Sequence, residues 1–340
     1  PISAGIVKGQ VTHYFKPLRK ALDSVYFDAP KIKINTVFVN GKKSKFTSNV
    51  DGVTIFFEKP LAWETSDSIR IQYEAKPKKG IYFIGWNDKN NLSRKQIWTQ
   101  GQGVDNRFWI PMWDDLNDKM ITETIVQFDQ QYKVLSNGTK AMERLNKDGT
   151  KTWHYKMTKP HSSYLLMLGI GNYEIKEAKS KSGVPLKMYY YPEHADRADL
   201  IYKHTADIMN FFENEIGVPY PWESYSQIPV QDFMYGAMEN TTATVFGDFF
   251  CADKRSFNDR NYVAVNAHEM AHQWFGDMVT ARCEPHHWLQ ESFATHYNML
   301  AEREFFGQEH FDWARRTAQN SALDADSKDL FPVASSKAGS

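Results

Sequence analysis

His268-Glu269-Met270-Ala271-His272-Gln273-Trp274-Phe275-Gly276-Asp277-Met278-Val279-Thr280, followed eight residues on by Trp288-Leu289-Gln290-Glu291-Ser292-Phe293-Ala294, is the stretch on which the fold turns. The apolar spacing predicts one helix over 258–275 and another over 286–306. His268 and His272 are four apart, so on a helix they stand one turn apart on one face. Two imidazoles so placed reach one ion at Zn–N distances of about 2.0–2.1 Å. Glu269 is offset by one residue, close enough to touch a water on the metal without being forced to ligate. Glu291 follows His272 by nineteen residues, where a third ligand arises if the two helices pack antiparallel across the ion. Three protein ligands leave the fourth position for water, the catalytic pattern of zinc rather than the structural one. One Zn2+ per chain is expected, held by His268, His272 and Glu291. The metal lowers the pKa of its water toward about 7, and Glu269 takes the proton as the water attacks a carbonyl.

Working outward, residues 308–324 read as a further helix, separated from the second by Gly307. Residues 195–216 repeat Leu200, Ile201, Ile208, Met209, Phe211 and Phe212 at helical spacing until Gly217 and Pro219 stop them. Asn258 or Asp259 is the expected cap of the helix that carries His268. Residues 184–192 and 225–250 read as strand and loop. The first half has the other period. Ile69-Arg70-Ile71-Gln72-Tyr73-Glu74 alternates apolar and polar, as does Lys31-Ile32-Lys33-Ile34, and Asn40-Gly41, Asn137-Gly138 and Asp148-Gly149 are turn dipeptides. The expected fold is α+β: an all-β domain over 1–172, built of two packed antiparallel sheets, followed by a catalytic domain over 173–340.

Composition narrows the function. In 340 residues, 41 Lys and Arg balance 41 Asp and Glu, so no charge excess is available for a nucleic-acid backbone, and nucleic acid is not an expected partner. The most apolar run, Tyr164 to Ile170, falls far short of the roughly 20 residues that span a bilayer, so no transmembrane segment is expected. Lys8, Lys16, Arg19 and Lys20 interrupt any signal-peptide pattern. The compartment stays open between cytoplasm and periplasm or secretion. Cys251 and Cys283 read as two free buried thiols. His286 and His287 are adjacent and point to different faces, so they, with His296, are assigned surface or packing roles.

Tyr235-Gly236-Ala237-Met238-Glu239-Asn240 completes the pattern. With GAMEN at 236–240, HEMAHQWFGDMVT at 268–280 and WLQESFA at 288–294, in that order and separation, the sequence resembles the zinc aminopeptidases of the aminopeptidase N and leukotriene hydrolase family, the gluzincins. The likeness covers nearly the whole chain. It implies a β-saddle domain followed by a thermolysin-like domain, and hydrolytic release of N-terminal residues from peptides. Glu239 then corresponds to the carboxylate that binds the free α-amino group of the substrate. Gly236 and Ala237 offer backbone to the peptide as an edge strand, within a substrate-binding run that includes Met238 and Asn240. Tyr235 lines the pocket for the first side chain, and Gln102 sits where the family places a second Gln or Glu near the amino group. Gln290 and Ser292 stand where Asn and Gly are commoner, and Gln290 is expected to alter the pocket wall.

The resemblance also implies a Tyr that stabilises the oxyanion about sixty residues beyond the third ligand, and a C-terminal helical domain. The chain has 49 residues after Glu291. It therefore reads as the front part of a longer enzyme. The Tyr, and the residues deciding any epoxide hydrolase activity, are expected beyond Ser340, and the fragment alone is expected to be impaired.

Overall fold

The computed structural model describes residues 2–18, 21–63, 65–259 and 261–328. The closing segment Ser335 to Ser340 lies outside the described residues. The first half is built of strands. A four-stranded sheet runs in the order 7–15, 67–75, 33–39, 42–43, and a three-stranded sheet in the order 22–28, 52–61, 46–48. One core joins them: Phe27, Val53 and Ile55 meet Val37, Ile69, Ile71 and Tyr73, all buried. The alternation read from residues 69–74 is the reason, because Ile69, Ile71 and Tyr73 turn inward while Gln72 stays exposed. The strand expected around Lys31 starts only at Lys33; Lys31 itself has φ +58°.

Two packed sheets account for only part of this half. A three-stranded sheet (123–129, 150–156, 139–145) and a four-stranded sheet (133–136, 168–171, 96–99, 81–84) follow. Asn40-Gly41 and Asp148-Gly149 close hairpins, but Asn137-Gly138 joins strands of different sheets. Asn137 is buried. Its side-chain amide donates to the carbonyls of Leu165 and Thr241 at 2.8 Å and its oxygen accepts from the N–H of Met167 at 2.7 Å. A turn dipeptide here serves as an internal tie that anchors the segment after Glu239.

A five-stranded mixed sheet then runs in the order 174–179, 185–190, 225–230, 243–247, 237–238. Strands 185–190, 225–230 and 243–247 are mutually parallel, and 237–238 lies antiparallel at the edge. Among the described residues five α-helices accompany it: α1 (Ala198–Ile201), α2 (Thr205–Ile216), α3 (Val263–His272), α4 (Trp288–Phe306) and α5 (Gln308–Lys328). The helix expected over 195–216 is broken. His204 adopts φ +68°, and its ring stacks on Phe305 of α4 at 4.4 Å. The helix expected from 258 begins at Val263, because 256–258 forms a 3-10 turn, entered where Asp253 Oδ1 accepts from the N–H groups of Arg255 and Ser256. Neither Asn258 nor Asp259 caps it.

Small residues decide how α3 and α4 meet. Ala267 and Ala271 on α3 and Ala294 and Ala301 on α4 are buried in one core with Ile208, Phe212 and Trp274. Methyl-sized side chains let the helix axes approach toward the short end of the usual spacing. A separate core joins Trp98, Trp153 and Leu165 from the first half to Tyr189, Val230 and Val245 from the second. No helix among the described residues is long and apolar enough to cross a membrane. Cys251 is half-buried and Cys283 exposed, so the expectation of two buried thiols fails.

His161 is held neutral in the interior, and the half-buried His13 is held neutral against the chain at Pro111. His161 Nε2 lies 2.8 Å from Thr122 and Nδ1 3.2 Å from Thr241, and His13 donates to the carbonyl of Pro111 at 2.9 Å. Burial pushes the first down to about 3 and the second to about 4. An unfolded histidine takes up its proton near pH 6.5. The unfolded chain therefore binds more protons below that pH, and the stability these groups hold above it is lost as pH falls toward 4 and 3. Each contributes a slope of up to about 1.4 kcal/mol per pH unit. His161→Gln should be less stable than wild type at pH 7.5 yet lose less stability between pH 6.5 and 5. Urea midpoints at the two pH values test this; parallel losses in the two proteins would contradict it.

Candidate active site

α3 presents His268 and His272 on one face, and the close α3–α4 contact brings Glu291, in the first turn of α4, opposite them. His268 Nε2 lies 3.0 Å from His272 Nε2, and Glu291 Oε2 lies 3.2 and 3.6 Å from the two. Donors about 2.0–2.1 Å from a tetrahedral ion stand roughly 3.3–3.4 Å apart. The three sequence-predicted ligands therefore have the spacing and the N, N, O chemistry that zinc needs, and they fit the ion. His272 is prepared for it. Its Nδ1 donates to the carbonyl of Phe275 at 2.9 Å, which fixes the tautomer and leaves Nε2 free to ligate. The turn that supplies this carbonyl closes at Gly276, whose φ of +147° suits glycine, and a Cβ there would meet the His272 ring at 3.1 Å.

The charges around the two histidines call for a cation. Burial opposes a proton on His272, but Glu239, Glu291 and Glu269 outweigh it and push the group up to about 10. Glu291 is partly buried, which disfavours its charge, yet hydrogen bonds from His268, His272 and His287 hold it far below the usual carboxylate range. Glu269 goes the other way. Burial first, then the nearby Glu239 and Glu291, raise its carboxyl well above the usual range. Its Oε2 is buried and has no hydrogen-bond partner among the described residues. A carboxyl with an unused oxygen and a raised pKa, on the wall of the same cavity, is equipped to take and return a proton.

The cavity measures about 350 Å³ and is lined by His268, Glu269, His272, Glu291, Glu239, Gly236, Ala237 and Gln102. Strand 237–238 forms one wall as a sheet edge. The N–H of Gly247 donates to the carbonyl of Gly236 at 3.0 Å. By the alternation of an antiparallel ladder, the N–H and carbonyl of Ala237 then point off the free edge. Glu239 closes the end. It is 3% exposed, and the Tyr164 hydroxyl donates to its Oε1 at 3.3 Å. Met238 and Asn240 point away from the cleft, Met238 into the apolar core and Asn240 fully buried. Tyr235 is 55% exposed and meets Phe233 edge-on, outside the cavity wall.

Gln102 reaches the cavity because Gly101 lets its loop lie against the chain at Tyr164. A Cβ at Gly101 would stand 2.4 Å from the Tyr164 carbonyl oxygen. Gln290 does not line the pocket. It is buried behind Glu239, donates to the Tyr164 hydroxyl at 3.0 Å and accepts from the N–H of Ala281 at 2.7 Å. Tyr164 escaped the sequence reading because it sits in the apolar run 164–170, although a buried phenol needs a polar partner. His287 also belongs to the site, against its assigned surface role. Its Nε2 lies 3.2 Å from Glu291 Oε1 and 2.9 Å from Gln102 Nε2. The signal was present: residues 287 and 291 are four apart in the segment read as helix.

Known proteins share this arrangement of sequence. The Peptidase M1 N-terminal domain matches residues 2–165, and the Peptidase family M1 domain matches residues 201–335. A leucyl aminopeptidase of Saccharolobus solfataricus is 30% identical over 314 residues, which are 90% of this chain and 38% of that protein. A glutamyl aminopeptidase of Mus musculus is 28% identical over 293 residues, 83% of this chain and 30% of that protein. The chain thus spans a little over a third of the first relative's length. An M1 zinc metallopeptidase from Deinococcus radiodurans, solved as a mutant bound to a Tyr-Ser-Ala substrate, has a similar fold. The TM-score is 0.80 over 98% of this chain and 74% of that one, at 18% identity. The α+β architecture and the two family domains, which lie one after the other along most of the sequence, agree that this chain belongs to peptidase family M1.

Proposed function

We propose that the chain carries the catalytic apparatus of a zinc-dependent aminopeptidase that releases N-terminal residues from peptides. The observation that carries this reading is the pairing, in one cavity, of the His268–His272–Glu291 donor set with a buried carboxylate, Glu239, at the end of a free strand edge. The relatives named aminopeptidases support it. In the same reading, the division between the β-domain and the catalytic domain falls at 172/173, between strands 168–171 and 174–179.

Bound by His268, His272 and Glu291, zinc would supply Lewis acidity and a water whose pKa lies near 7. The chain's own residues do the rest. The outward backbone of Ala237 aligns the peptide as an added strand. Glu239, held by Tyr164, takes the cationic amino terminus, and the closed end of the cleft rejects a chain that continues past it. That placement puts the first peptide bond beside Glu269. Glu269 accepts a proton at its free Oε2 and delivers it to the leaving nitrogen, as a group with a raised pKa can do near neutrality.

Two expected outcomes separate the roles. Glu269→Gln should keep a zinc content near wild type, whereas His272→Ala should lose it, as metal analysis after dialysis will show. A Glu269→Gln protein that sheds its zinc would mean that Glu269 is a ligand. Turnover, measured on the intact protein, should fall by several orders of magnitude in both variants.

The amino-terminal role of Glu239 has its own test. Acetylating a peptide removes the cation, and loss of one partner of a desolvated pair costs about 2–5 kcal/mol. Hydrolysis of acetylated peptides should be slower than that of free ones by at least tens of times. In Glu239→Gln the gap should shrink, and equal rates on both peptides in the wild type would point to an endopeptidase.

A further inference from the structure

The zinc ligands use only one oxygen of Glu291. Its Oε2 faces His268 and His272, while Oε1 lies 3.2 Å from His287 Nε2. Donor atoms of Glu239, His287 and Glu291 all lie within 4.8 Å of one another, a second group able to surround an ion. Gln102 stands beside the same nitrogen, its amide nitrogen 2.9 Å from His287 Nε2. A cation between the imidazole and the carboxylate would be faced by both as donors, and a half-turn of the Gln102 amide presents a fourth, its oxygen. The 3.2 Å between Nε2 and Oε1 is close to the edge of a tetrahedron about an ion with bonds of roughly 2.0–2.1 Å.

We propose that Glu239, His287 and Glu291, with Gln102, form a second divalent-cation site, bridged to the first through the Glu291 carboxylate and exclusive with the amino terminus of a substrate. The inference rests on the reading of the preceding section, because it takes His268, His272 and Glu291 as the first site. Position explains the exclusion. The second ion takes Glu239 as a ligand, and Glu239 is the carboxylate that the preceding section gives to the ammonium group of a substrate. The second ion therefore acts as an inhibitor that occupies the amino-terminal end of the cleft.

The test is a zinc-binding isotherm on the whole chain by equilibrium dialysis with metal analysis. Wild type should bind two ions, the second more weakly. His287→Leu should keep the first, which also reports an intact fold, and lose affinity for the second by more than the roughly 10–100-fold that removal of an outer partner costs. L-leucinamide, a free amino group with no scissile peptide, should weaken the second ion in wild type and leave the first unchanged. A wild type that stops at one zinc overturns this site alone. A second ion that survives His287→Leu, or that ignores leucinamide, overturns it as well. Binding of no zinc at all would overturn both this site and the reading it rests on, and a first ion that survives His272→Ala would overturn that reading.

Discussion

The cleft depends on one constraint: the carboxylates of Glu239, Glu269 and Glu291 and the imidazoles of His268, His272 and His287 are gathered about one cavity in a partly dry site. Without a cation, two Nε2 atoms 3.0 Å apart have at most a shared proton between them. Burial of such charges is costly unless each is paired. The protein meets that cost with the rest of its architecture. Ala267, Ala271, Ala294 and Ala301 draw α3 and α4 together, and the α2 residues Ile208 and Phe212 press them from behind. Such a site stores the affinity that binds a metal ion, because the ion removes repulsion that packing alone has imposed.

The same principle reaches outward to the substrate end. Glu239 is buried, and the Tyr164 hydroxyl donates to its Oε1 at 3.3 Å, which leaves room for a cation to complete the pairing. Behind it a chain of buried polar groups fixes its position: Tyr164 accepts from Gln290, which in turn holds the N–H of Ala281. Asn137 ties the carbonyl of Thr241 to that of Leu165, next to Tyr164. Its amide is consumed inside the fold. Satisfied buried networks of this kind stiffen a site that must recognise a small cation by position.

How much of this was legible in sequence follows from which distances are local. His268 and His272 share a face by helix period alone, and Glu291 follows if two helices pack. The alternation at 69–74 gave a strand because one face had to be buried. The misses concern long-range contacts or one-residue local choices. Nothing local in 195–216 announces that His204 will adopt φ +68°, where its ring stacks on Phe305, about a hundred residues away. Gln290 looked like part of the pocket wall by its neighbour Glu291, yet on a helix adjacent residues point about 100° apart, and one faces the cavity while the other faces the core. His287 was dismissed for its neighbour His286, when its spacing to Glu291 carried the information.

Under the proposed second site, the other oxygen of the Glu291 carboxylate is where a competing state arises from small changes. A carboxylate that ligates through one oxygen leaves the other to be satisfied by whatever stands four residues earlier on its helix. An apolar residue there would leave that oxygen to water and keep the amino-terminal end of the cleft for substrate alone. Here an imidazole stands at 287, within reach of both Glu291 and Gln102. It helps to hold Glu291 charged, since hydrogen bonds from His287 as well as His268 and His272 stabilise the carboxylate. A donor atom of His287 also lies within 4.8 Å of one on Glu239. In the proposed two-ion reading, the side chain that supports Glu291 from outside the first site is a direct ligand of the second ion, so a substitution at 287 falls far more heavily on the second ion than on the first.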